Sequence, residues 1–444
     1  MARILDAPAH WPRVTLGRAG RYDPDDGLPA AERAGAWTTW RHAVDSIAPE
    51  AIIGLVDRSG LRGRGGAGFP TARKWRSCRE QDGAVRYAVA NGYEADPGAA
   101  IDRTLMEQDP HGVVEGLAFA ALAVGAREAF LAVRADATVA VARLRSAVDA
   151  AEEAGYIGTN AMNTGLDLLI EVRPVQGAFV LGEETVLLKA LEGKRGMPDQ
   201  RPPYPSERGL FGRPTVVNNV ETLAAVPWIV EHGAEAFAAI GSGSATGTKL
   251  VQMSGAVRHP GVAEVPLGTP LRDVVAMAGP APGHTLKAVL VGGPAGGFLP
   301  PEALDTALDP AALRSAGAIL GSGSLLVVDE RACIVELGRV MEQFMSDESC
   351  GKCVPCRIGT RRLYEIADRF TGGRPRPADV QLLSDLAADV TAGSLCGHGI
   401  HAPNPLTSGM RYFAAEYDAH ITAGTCPAGV CRPLRVVTAS GSAS

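Results

Sequence analysis

The sequence has no long apolar run and no recognisable leader segment. Its most apolar stretch, GLAFAALAVG from Gly116, covers about ten residues, whereas a membrane-spanning helix needs about 20. The first residues, MARILDAPAHWPRVT, lack the apolar centre of a signal peptide. We therefore expect a cytoplasmic protein without a membrane span, peripheral to a membrane only through a complex, in which GLAFAALAVG forms a buried helix.

Basic charge and cysteine are also scarce. The 444 residues carry a formal net charge of -6 and no long basic run, which argues against nucleic acid as a partner. Eight cysteines are too few for a secreted disulfide scaffold of this length, and most of them cluster after residue 330. The 46% apolar content is ordinary for a globular protein of two to four domains, and the cysteine clusters indicate metal chemistry in a reducing compartment.

Four cysteines have the spacing of an iron–sulfur site. Cys350, Cys353 and Cys356 lie in ESCGKCVPCRIGT, and Cys396 follows in SLCGHG. Thiolates in this arrangement are the usual ligands of a [4Fe–4S] cluster, and the lack of a tight fourth cysteine followed by proline predicts one cluster rather than two. The alternative is a structural zinc site, although such sites more often use two separated C-x2-C pairs.

Composition and periodicity divide the chain into five parts. Residues 1–40 show little pattern and suggest an irregular arm, whereas 41–240 alternate apolar runs with helical stretches, as an α/β domain does. The run GSGSATGT predicts a flexible joint, and 246–330 then predict a small β-rich domain. Helical periodicity over 331–424 surrounds the four cysteines, and 425–444 form a cysteine-containing tail with a disordered end, VVTASGSAS.

Two glycine-containing segments are candidates for binding a nucleotide. GLRGRGGAGFPTARKW, residues 60–75, matches G-x-G-x-x-G and supplies Arg64 and Lys74, although the match alone also fits a surface loop. VANGYEADPGAAIDR, residues 89–103, places Asn91, Glu94 and Asp96 in a turn after a strand, where ligand-binding groups often collect. The alternative for this second segment is an ordinary acidic turn.

A third segment, residues 177–226, holds further candidates. Glu183 and Glu184 open a helix in GEET, and the alternative role for such acidic residues is helix capping. The rigid RPPYP run presents Tyr204, and Asn218 and Asn219 precede another helix start.

Together these motifs resemble one family. In order along residues 50–424, they are GLRGRGGAGFPTARKW, GEET, EGKRG, PPYP, GLFGRPTVVNNVETL, ESCGKCVPCRIG and SLCGHG. They are similar to the NADH-binding flavoprotein subunit of respiratory complex I and to the diaphorase subunits of NAD-linked hydrogenases and formate dehydrogenases. The resemblance implies a Rossmann-like FMN and NADH domain, a ubiquitin-like β-grasp (soluble-ligand-binding) module and a helical bundle that holds a [4Fe–4S] cluster.

The resemblance also implies an activity and a set of site residues. NADH would reduce FMN, and single electrons would pass to the cluster and then to a partner, a thioredoxin-like [2Fe–2S] subunit of a larger redox complex. Glu94 and Glu184 are the catalytic candidates. The residues implied in FMN and NADH binding are Gly63, Arg64, Gly65, Phe69, Lys74, Asn91, Glu183, Glu184, Tyr204, Asn218, Asn219 and Thr222.

Departures from the family pattern leave other functions open. Tyr93 replaces an aspartate that contacts the flavin, and Phe179 and Arg201 replace a tyrosine and a lysine. A phenol at position 93 could fill part of the nucleotide cleft or stack on the flavin. One alternative is therefore an electron-relay or scaffold subunit with a decayed nucleotide site, and another is the diaphorase subunit of a soluble formate dehydrogenase or hydrogenase.

The tail suggests a second metal site. HITAGTCPAGVCRPL is similar to tails of soluble diaphorase subunits and contains His420, Cys426 and Cys431. With Cys333 these residues would form a Cys3His set suited to tetrahedral zinc. The alternative is reduced, unligated thiols, because a cysteine on an apolar helix face is commonly buried. Cys78 has no partner in the sequence and is predicted to take no part.

Overall fold

The structure is a computed structural model that describes residues 2–83, 85–243, 245–431 and 435–436. The chain divides into two units, Met1–Val251 with Val262–Gly268, and Gln252–Gly261 with Thr269–Ser444. Residue 244 of the predicted joint and residues 437–444 of the predicted disordered end lie outside the described residues.

A five-stranded sheet forms the centre of the first unit, with strand order β3-β4-β2-β1-β5. Its strands are β1 (Tyr87–Gly92), β2 (Glu128–Arg134), β3 (Gly158–Ala161), β4 (Leu166–Val175) and β5 (Thr215–Asn219). All neighbours pair in parallel except β3 and β4. The strand order reverses at β1, and ligands of open α/β sheets bind outside the carboxyl ends of the strands at such a point.

Helices cover this sheet. They are α1 (Leu28–Arg33), α2 (Thr38–Ala43), α3 (Pro49–Arg58), α4 (Thr71–Arg79), α5 (Ile101–Gln108), α6 (Pro110–Val124), α7 (Thr138–Glu153), α8 (Glu184–Leu191), α9 (Pro205–Arg208), α10 (Val220–Ala224), α11 (Val226–His232) and α12 (Ala234–Ala238). Every residue of α6 except Leu122 is buried, which confirms the buried helix predicted from GLAFAALAVG. Short 3-10 helices lie at Pro24–Asp26, Phe179–Gly182 and Leu210–Gly212, and β6 (Gly241–Ser242) pairs with β7 (Ala245–Thr246).

The predicted N-terminal arm is part of the core of this unit. Leu16, Trp37 and Trp40 are almost fully buried. The backbone N–H groups of Trp37 and Trp40 donate to the carboxylate of Glu115 on α6, each at 3.2 Å. Regular structure is confined to α1, α2 and one 3-10 turn, so the segment lacks a strong sequence pattern even though it is packed.

The second unit contains most of another five-stranded sheet, with strand order β11-β10-β12-β8-β9, and a group of helices. Strands β8 (Thr248–Gly255) and β9 (Gly261–Pro266) contribute residues to both units. Within the second unit, β10 (Leu286–Val291) pairs antiparallel with β11 (Gly297–Leu299) and β12 (Ser324–Asp329), and β12 pairs in parallel with Gln252–Gly255. These strands and α13 (Leu271–Ala278) give residues 246–330 the β-rich character expected from the sequence.

The remaining helices pack around an apolar core. They are α14 (Pro310–Ser315), α15 (Ile334–Asp347), α16 (Val354–Thr371), α17 (Asp379–Gly393), α18 (Gly397–His401), α19 (Asn404–Tyr412) and α20 (Ala414–Asp418), with 3-10 turns at Gly293–Ala295 and Pro301–Ala303, a π-helical turn at Ala419–Ala423, and the short strands β13 (Thr425–Cys426) and β14 (Arg435–Val436). Leu363, Phe370 and Leu406 are among the buried core residues. Among the described residues, none of the helices combines the length and apolar character of a membrane span.

Candidate functional site

The glycine-rich loop closes on itself before α4. The N–H of Gly63 donates to the carbonyl of Phe69 at 2.9 Å, and Arg62 Nε donates to the carbonyl of Gly68 at 2.7 Å. A Cβ atom at Gly65 would lie 3.0 Å from Cβ of Asn219, so a larger residue at this position would push against the end of β5. The loop therefore needs glycine where its backbone approaches the carboxyl edge of the sheet.

Lys74, Glu184 and Arg201 form a charged network at the start of α8. Lys74 Nζ donates to Glu184 Oε2 at 2.7 Å and to the carbonyl of Val217 at 3.0 Å. Arg201 Nη1 donates to Glu184 Oε1 at 2.7 Å. The structure thus joins two predicted site residues, Lys74 and Glu184, with one residue that the sequence marked only as a departure from the family pattern.

Glu183 shares Arg201 with Glu184, since Arg201 Nη2 donates to Glu183 Oε1 at 3.2 Å, but it has a further role at the helix start. Its Oε2 accepts from the N–H groups of Thr185 and Val186, at 2.9 and 3.1 Å, so it is the N-cap of α8. Helix capping, the alternative considered for both acidic residues, is therefore the observed role of Glu183. Asn91 Nδ2 donates to the carbonyl of Gly182 at 3.0 Å, which holds the end of β1 against the same helix start.

The VVNNVETL segment supplies polar groups at the end of β5. Trp75 Nε1 donates to Asn218 Oδ1 at 2.8 Å, and Asn219 Nδ2 donates to Asp102 Oδ2 at 2.7 Å. Asp102 is buried, and its burial raises the pKa of its carboxyl well above the usual range. Asp102 lies in the segment DPGAAIDR, but no local pattern marks it as a site residue, because only the fold brings it to Asn219.

Arg64 meets the same segment through its backbone. Its N–H donates to Thr222 Oγ1 at 2.8 Å, while its guanidinium is buried and donates to the carbonyl of Thr246 at 2.7 Å. Burial lowers the pKa of Arg64 to about 10, and Glu221 and Glu264 oppose that shift. The guanidinium of Arg64 therefore points into the protein interior, while its backbone meets the VVNNVETL segment.

Glu94 and Tyr93 are both held by hydrogen bonds. Glu94 Oε1 and Oε2 accept from the N–H groups of Asp102 and Arg103, at 2.8 and 3.2 Å, so the carboxylate covers the start of α5. Tyr93 is 3% exposed, its hydroxyl donates to the carbonyl of Gly177, and the guanidinium of Arg134 lies 5.7 Å from its ring centre. The phenol is therefore packed within the first unit and anchors the chain before Phe179.

Two residues of the implied FMN and NADH set are exposed aromatic rings. Phe69 and Tyr204 are 42% and 51% exposed, while most large apolar side chains of this unit are buried. Arg73 lies 5.7 Å from the ring centre of Phe69, and Tyr204 is the N-cap residue of α9. Exposed rings beside a charged network are suited to stacking on flat ligand rings.

The four cluster cysteines lie at or near the starts of two helices in the second unit, with Cys350 in the loop before α16 and Cys356 in its first turn. Cys353 is the N-cap residue of α16 and Cys396 is that of α18, so both thiols lie at the positive ends of helices. Burial and the neighbouring thiols Cys353, Cys396 and Cys350 raise the pKa of Cys356 to about 11, with Ser349 opposing the shift. The fold thus brings Cys396 to the C-x2-C-x2-C loop, as the sequence predicted.

The spacing of these sulfur atoms distinguishes a cluster from a single ion. No three of them lie within 4.8 Å of one another. Sulfurs around one tetrahedral zinc are about 3.8 Å apart, because each Zn–S bond is about 2.3 Å. The wider spacing fits a [4Fe–4S] cluster and argues against the zinc alternative for this site.

A second group of ligands is much tighter. The ligand atoms of Cys333, His420, Cys426 and Cys431 all lie within 4.8 Å of one another, and all four residues are buried. Cys333 Sγ is 3.4 Å from His420 Nε2 and 3.8 Å from Cys431 Sγ. His420 Nδ1 donates to the carbonyl of Glu416 at 2.7 Å, which leaves Nε2 directed toward the three sulfurs.

Three family models match this chain. The one described as the Nuo51 FMN-binding domain matches residues 56–228. The one described as the NADH-ubiquinone oxidoreductase-F iron-sulfur binding region matches residues 336–420, and the SLBB domain matches residues 250–299.

Relatives match over most of the chain. The NADP-reducing hydrogenase subunit HndC of Solidesulfovibrio fructosivorans is 44% identical over 395 residues, covering 88% of this chain and 80% of that protein. A subunit of an NADH-quinone oxidoreductase of Rhizobium meliloti is 39% identical over 409 residues, covering 91% of this chain and 97% of that protein. The chain belongs to the family of NADH-quinone oxidoreductase F subunits and related hydrogenase subunits. A crystal structure of an NAD+-reducing [NiFe]-hydrogenase in the H2-reduced state matches with a TM-score of 0.83 and 35% identity, covering 95% of this chain and 68% of that chain.

Membership in this family confirms the resemblance seen in the sequence. The chain is an NADH dehydrogenase (diaphorase) subunit with an FMN-binding domain, an SLBB domain and a [4Fe–4S] region. Its relatives are subunits of multi-subunit redox enzymes. The glycine loop, the charged network and the exposed rings fit a flat, phosphate-bearing cofactor, and the four cysteines fit the cluster.

Proposed function

We propose that the residues of the first unit bind NADH and FMN so that a hydride passes between them, and that a [4Fe–4S] cluster held by the cysteines of the second unit would accept the electrons one at a time. The observation that supports this proposal most directly is the Lys74–Glu184–Arg201 network at the carboxyl edge of the sheet. The bound cofactors would supply the redox chemistry, since FMN exchanges two electrons with NADH and single electrons with a cluster.

The proposed contacts with FMN come from three segments. The glycine loop and Lys74 would approach the isoalloxazine and phosphate, with Arg64 acting through its backbone because its guanidinium is buried. The residues assigned to FMN are Gly63, Arg64, Gly65, Lys74, Asn91, Asn218, Asn219 and Thr222. Their fixed hydrogen bonds would orient the flavin without large rearrangement.

The proposed contacts with NADH involve the exposed rings and the acidic residues. Phe69 would stack on the dinucleotide and Tyr204 on the adenine. Glu184 would hydrogen-bond the ribose or carboxamide, aided by Glu183, which fixes the start of α8. Glu94 would contribute to NADH binding indirectly, by fixing the position of α5, since both of its oxygens accept hydrogen bonds from the backbone of that helix.

An assay of cofactor content and activity tests this proposal. The purified chain should contain flavin, and NADH should bleach its absorbance and support ferricyanide reduction. A preparation that contains iron but no flavin, and that shows no absorbance change or ferricyanide reduction with NADH, would instead favour the electron-relay function. The packing of Tyr93 supports the enzyme, because the phenol bonds the carbonyl of Gly177 from a buried position.

We further propose that the chain serves as the diaphorase of a soluble hydrogenase or formate dehydrogenase, with a thioredoxin-like [2Fe–2S] subunit as its partner. The match to a hydrogenase subunit at 44% identity supports this choice. Copurification from the native host would identify the complex. Recovery with membrane-bound quinone oxidoreductase subunits alone would contradict it.

We also propose a structural zinc ion bound by Cys333, His420, Cys426 and Cys431. The 3.8 Å separation of two of the sulfurs matches the value of about 3.8 Å expected around tetrahedral zinc. The bound ion would fix the tail to the first turn of α15, whose N-cap residue is Cys333. Metal analysis should find zinc beside iron, and Cys431→Ser should lose zinc and keep iron. Absence of zinc beyond trace in an iron-containing preparation would contradict the proposal.

A further inference from the structure

Glu342 is a buried acid that neither metal site uses. It lies on α15, its side chain is 0% exposed, and neither carboxyl oxygen has a hydrogen-bond partner among the described residues. The other buried residues of this helix include Ile334, Val335 and Met345, so the face is otherwise apolar. An unpartnered carboxyl group at such a place is costly, and an apolar residue of similar size would avoid the cost. An unsatisfied buried group of this kind therefore calls for a functional explanation.

The described elements packed against α15 offer no charged partner for Glu342. The elements that pack most extensively against α15 are α16, α19, α20 and the turn Gly293–Ala295. Their buried titratable residues are Cys356 on α16 and Glu416 and Tyr417 on α20, and α19 and the turn have none. His398 of α18 reaches this helix through a 2.7 Å bond between its Nε2 and the carbonyl of Met345.

The charged groups nearby are already paired with each other. Glu416 accepts from the N–H of Ile334 at 3.1 Å and forms an ion pair with Lys287 at 2.8 Å. On α15 itself, Glu336 and Arg339 form a bidentate ion pair. Burial alone therefore acts on Glu342, and it raises the pKa of its carboxyl well above the usual range.

The position of Glu342 places it within electrostatic reach of the cluster. Helix α15 ends at Asp347, and Cys350 follows three residues later. At 1.5 Å of rise per helical residue, the separation is on the order of 10 Å. One electron added at that distance changes the proton affinity of a carboxyl group about tenfold at an effective dielectric constant of about 20.

We propose that Glu342 is the proton-binding group coupled to reduction of the [4Fe–4S] cluster. When the cluster gains one electron from the flavin, the Glu342 carboxylate gains one proton from solvent, and the charge of the buried region stays balanced. Glu342 would thus tune the cluster rather than touch substrate, and its role rests on the cluster alone, not on the assigned NADH contacts.

The dependence of the cluster's midpoint potential on pH tests this coupling in the full chain. As pH rises through the titration of Glu342, the wild-type potential should fall by about 59 mV in total, since a tenfold change in an equilibrium constant is about 59 mV for one electron. Glu342→Gln keeps the shape and removes the proton, so its potential should be independent of pH over the same range. Glu336→Gln, on the same helix but paired with Arg339, should keep the wild-type pH dependence.

Infrared difference spectra give a second readout. Reduction of the wild-type cluster should produce a carboxylic acid C=O band, and Glu342→Gln should lack it. A wild-type potential that does not change with pH, or a Glu342→Gln variant with the wild-type pH dependence, would overturn the proposal. If Glu342→Gln and Glu342→Met both fail to fold with a cluster, the infrared difference spectrum of the wild type becomes the test. Absence of the carboxylic acid C=O band from that spectrum would overturn the proposal.

Discussion

The two units hold their candidate functional groups by different physical means. In the first unit, Lys74, Glu184 and Arg201 are charged side chains that hold one another through hydrogen bonds of 2.7 Å at a partly exposed edge. In the second unit, the cluster thiols Cys353 and Cys396 are held by the backbone at the starts of two helices.

This difference determines how each region should respond to substitution. A charged network loses one contact at a time, and its partners and solvent compensate in part. A metal site depends on every ligand, because a lost thiolate leaves the metal incompletely coordinated. We therefore expect all-or-none effects in the second unit and graded effects in the first.

The largest expected effect is loss of the cluster. Cys396→Ser removes one of four thiolates and should abolish cluster iron and electron transfer to a one-electron partner, while flavin content is unchanged. Iron analysis and the visible spectrum measure the result. Cys78→Ser is the matched control, because Cys78 is a buried free cysteine that the cluster does not use. Full iron content in Cys396→Ser would contradict the all-or-none expectation.

Next in size is removal of a buried charge in the first unit. Lys249 and Glu221 form an ion pair whose side chains are 0% and 2% exposed. Lys249→Met leaves the Glu221 carboxylate buried without its partner, which should lower the free energy of unfolding by about 3–5 kcal/mol. Chemical denaturation measures this loss.

The exposed pair Arg58–Glu235 provides the control for that experiment, with side chains 59% and 78% exposed. Arg58→Met should change the free energy of unfolding by less than about 1 kcal/mol. Equal losses in the two variants would show that burial does not determine the contribution of charge pairs in this unit.

A smaller effect should come from acid. Burial lowers the pKa of His111 to about 4, and its Nδ1 accepts from Trp37 Nε1 at 3.1 Å. Because the pKa of His111 is lower in the folded state than in the unfolded chain, the contribution of its neutral imidazole to the free energy of unfolding is fully present above pH 6.5. This contribution, up to about 3 kcal/mol, is lost as pH falls through about 4. His111→Gln keeps an acceptor and should lose less stability between pH 6.5 and 4 than the wild type. Parallel curves of unfolding free energy against pH would contradict this role.

The smallest of the four is a graded loss of activity. Glu184→Gln removes the charge that Lys74 and Arg201 share, and should lower kcat/KM for NADH by about 10²-fold, or about 2.7 kcal/mol. Glu153→Gln, exposed on α7, is the matched control and should retain activity. Wild-type kcat/KM in Glu184→Gln would exclude Glu184 from the site.

Local sequence patterns were informative where function depends on neighbouring residues. The C-x2-C-x2-C spacing identified the cluster loop, because three thiols on one turn can reach one centre. The apolar run after Gly116 predicted α6, since only a helix covered on all sides tolerates such a composition. The motif order identified the family, and the cysteines and histidine of the tail were correctly grouped with Cys333.

Contacts between distant segments could not be inferred in this way. Nothing local distinguishes Glu183, which caps α8, from Glu184, which binds Lys74, because the difference depends on where α4 packs. The bond between Asp102 and Asn219 joins residues 117 positions apart. The N-terminal segment lacks periodicity and yet buries Trp37 and Trp40.

The sequence by itself therefore determined the family and the cofactor classes, and it supplied the candidate metal-binding thiols, because these depend on residue type and short spacing. Only the tertiary structure decided the packing of Tyr93, the wide spacing of the cluster sulfurs, the tight spacing of the second set, and the isolation of Glu342. Each of these depends on distances between segments that are far apart in the chain, and packing of the whole fold sets those distances.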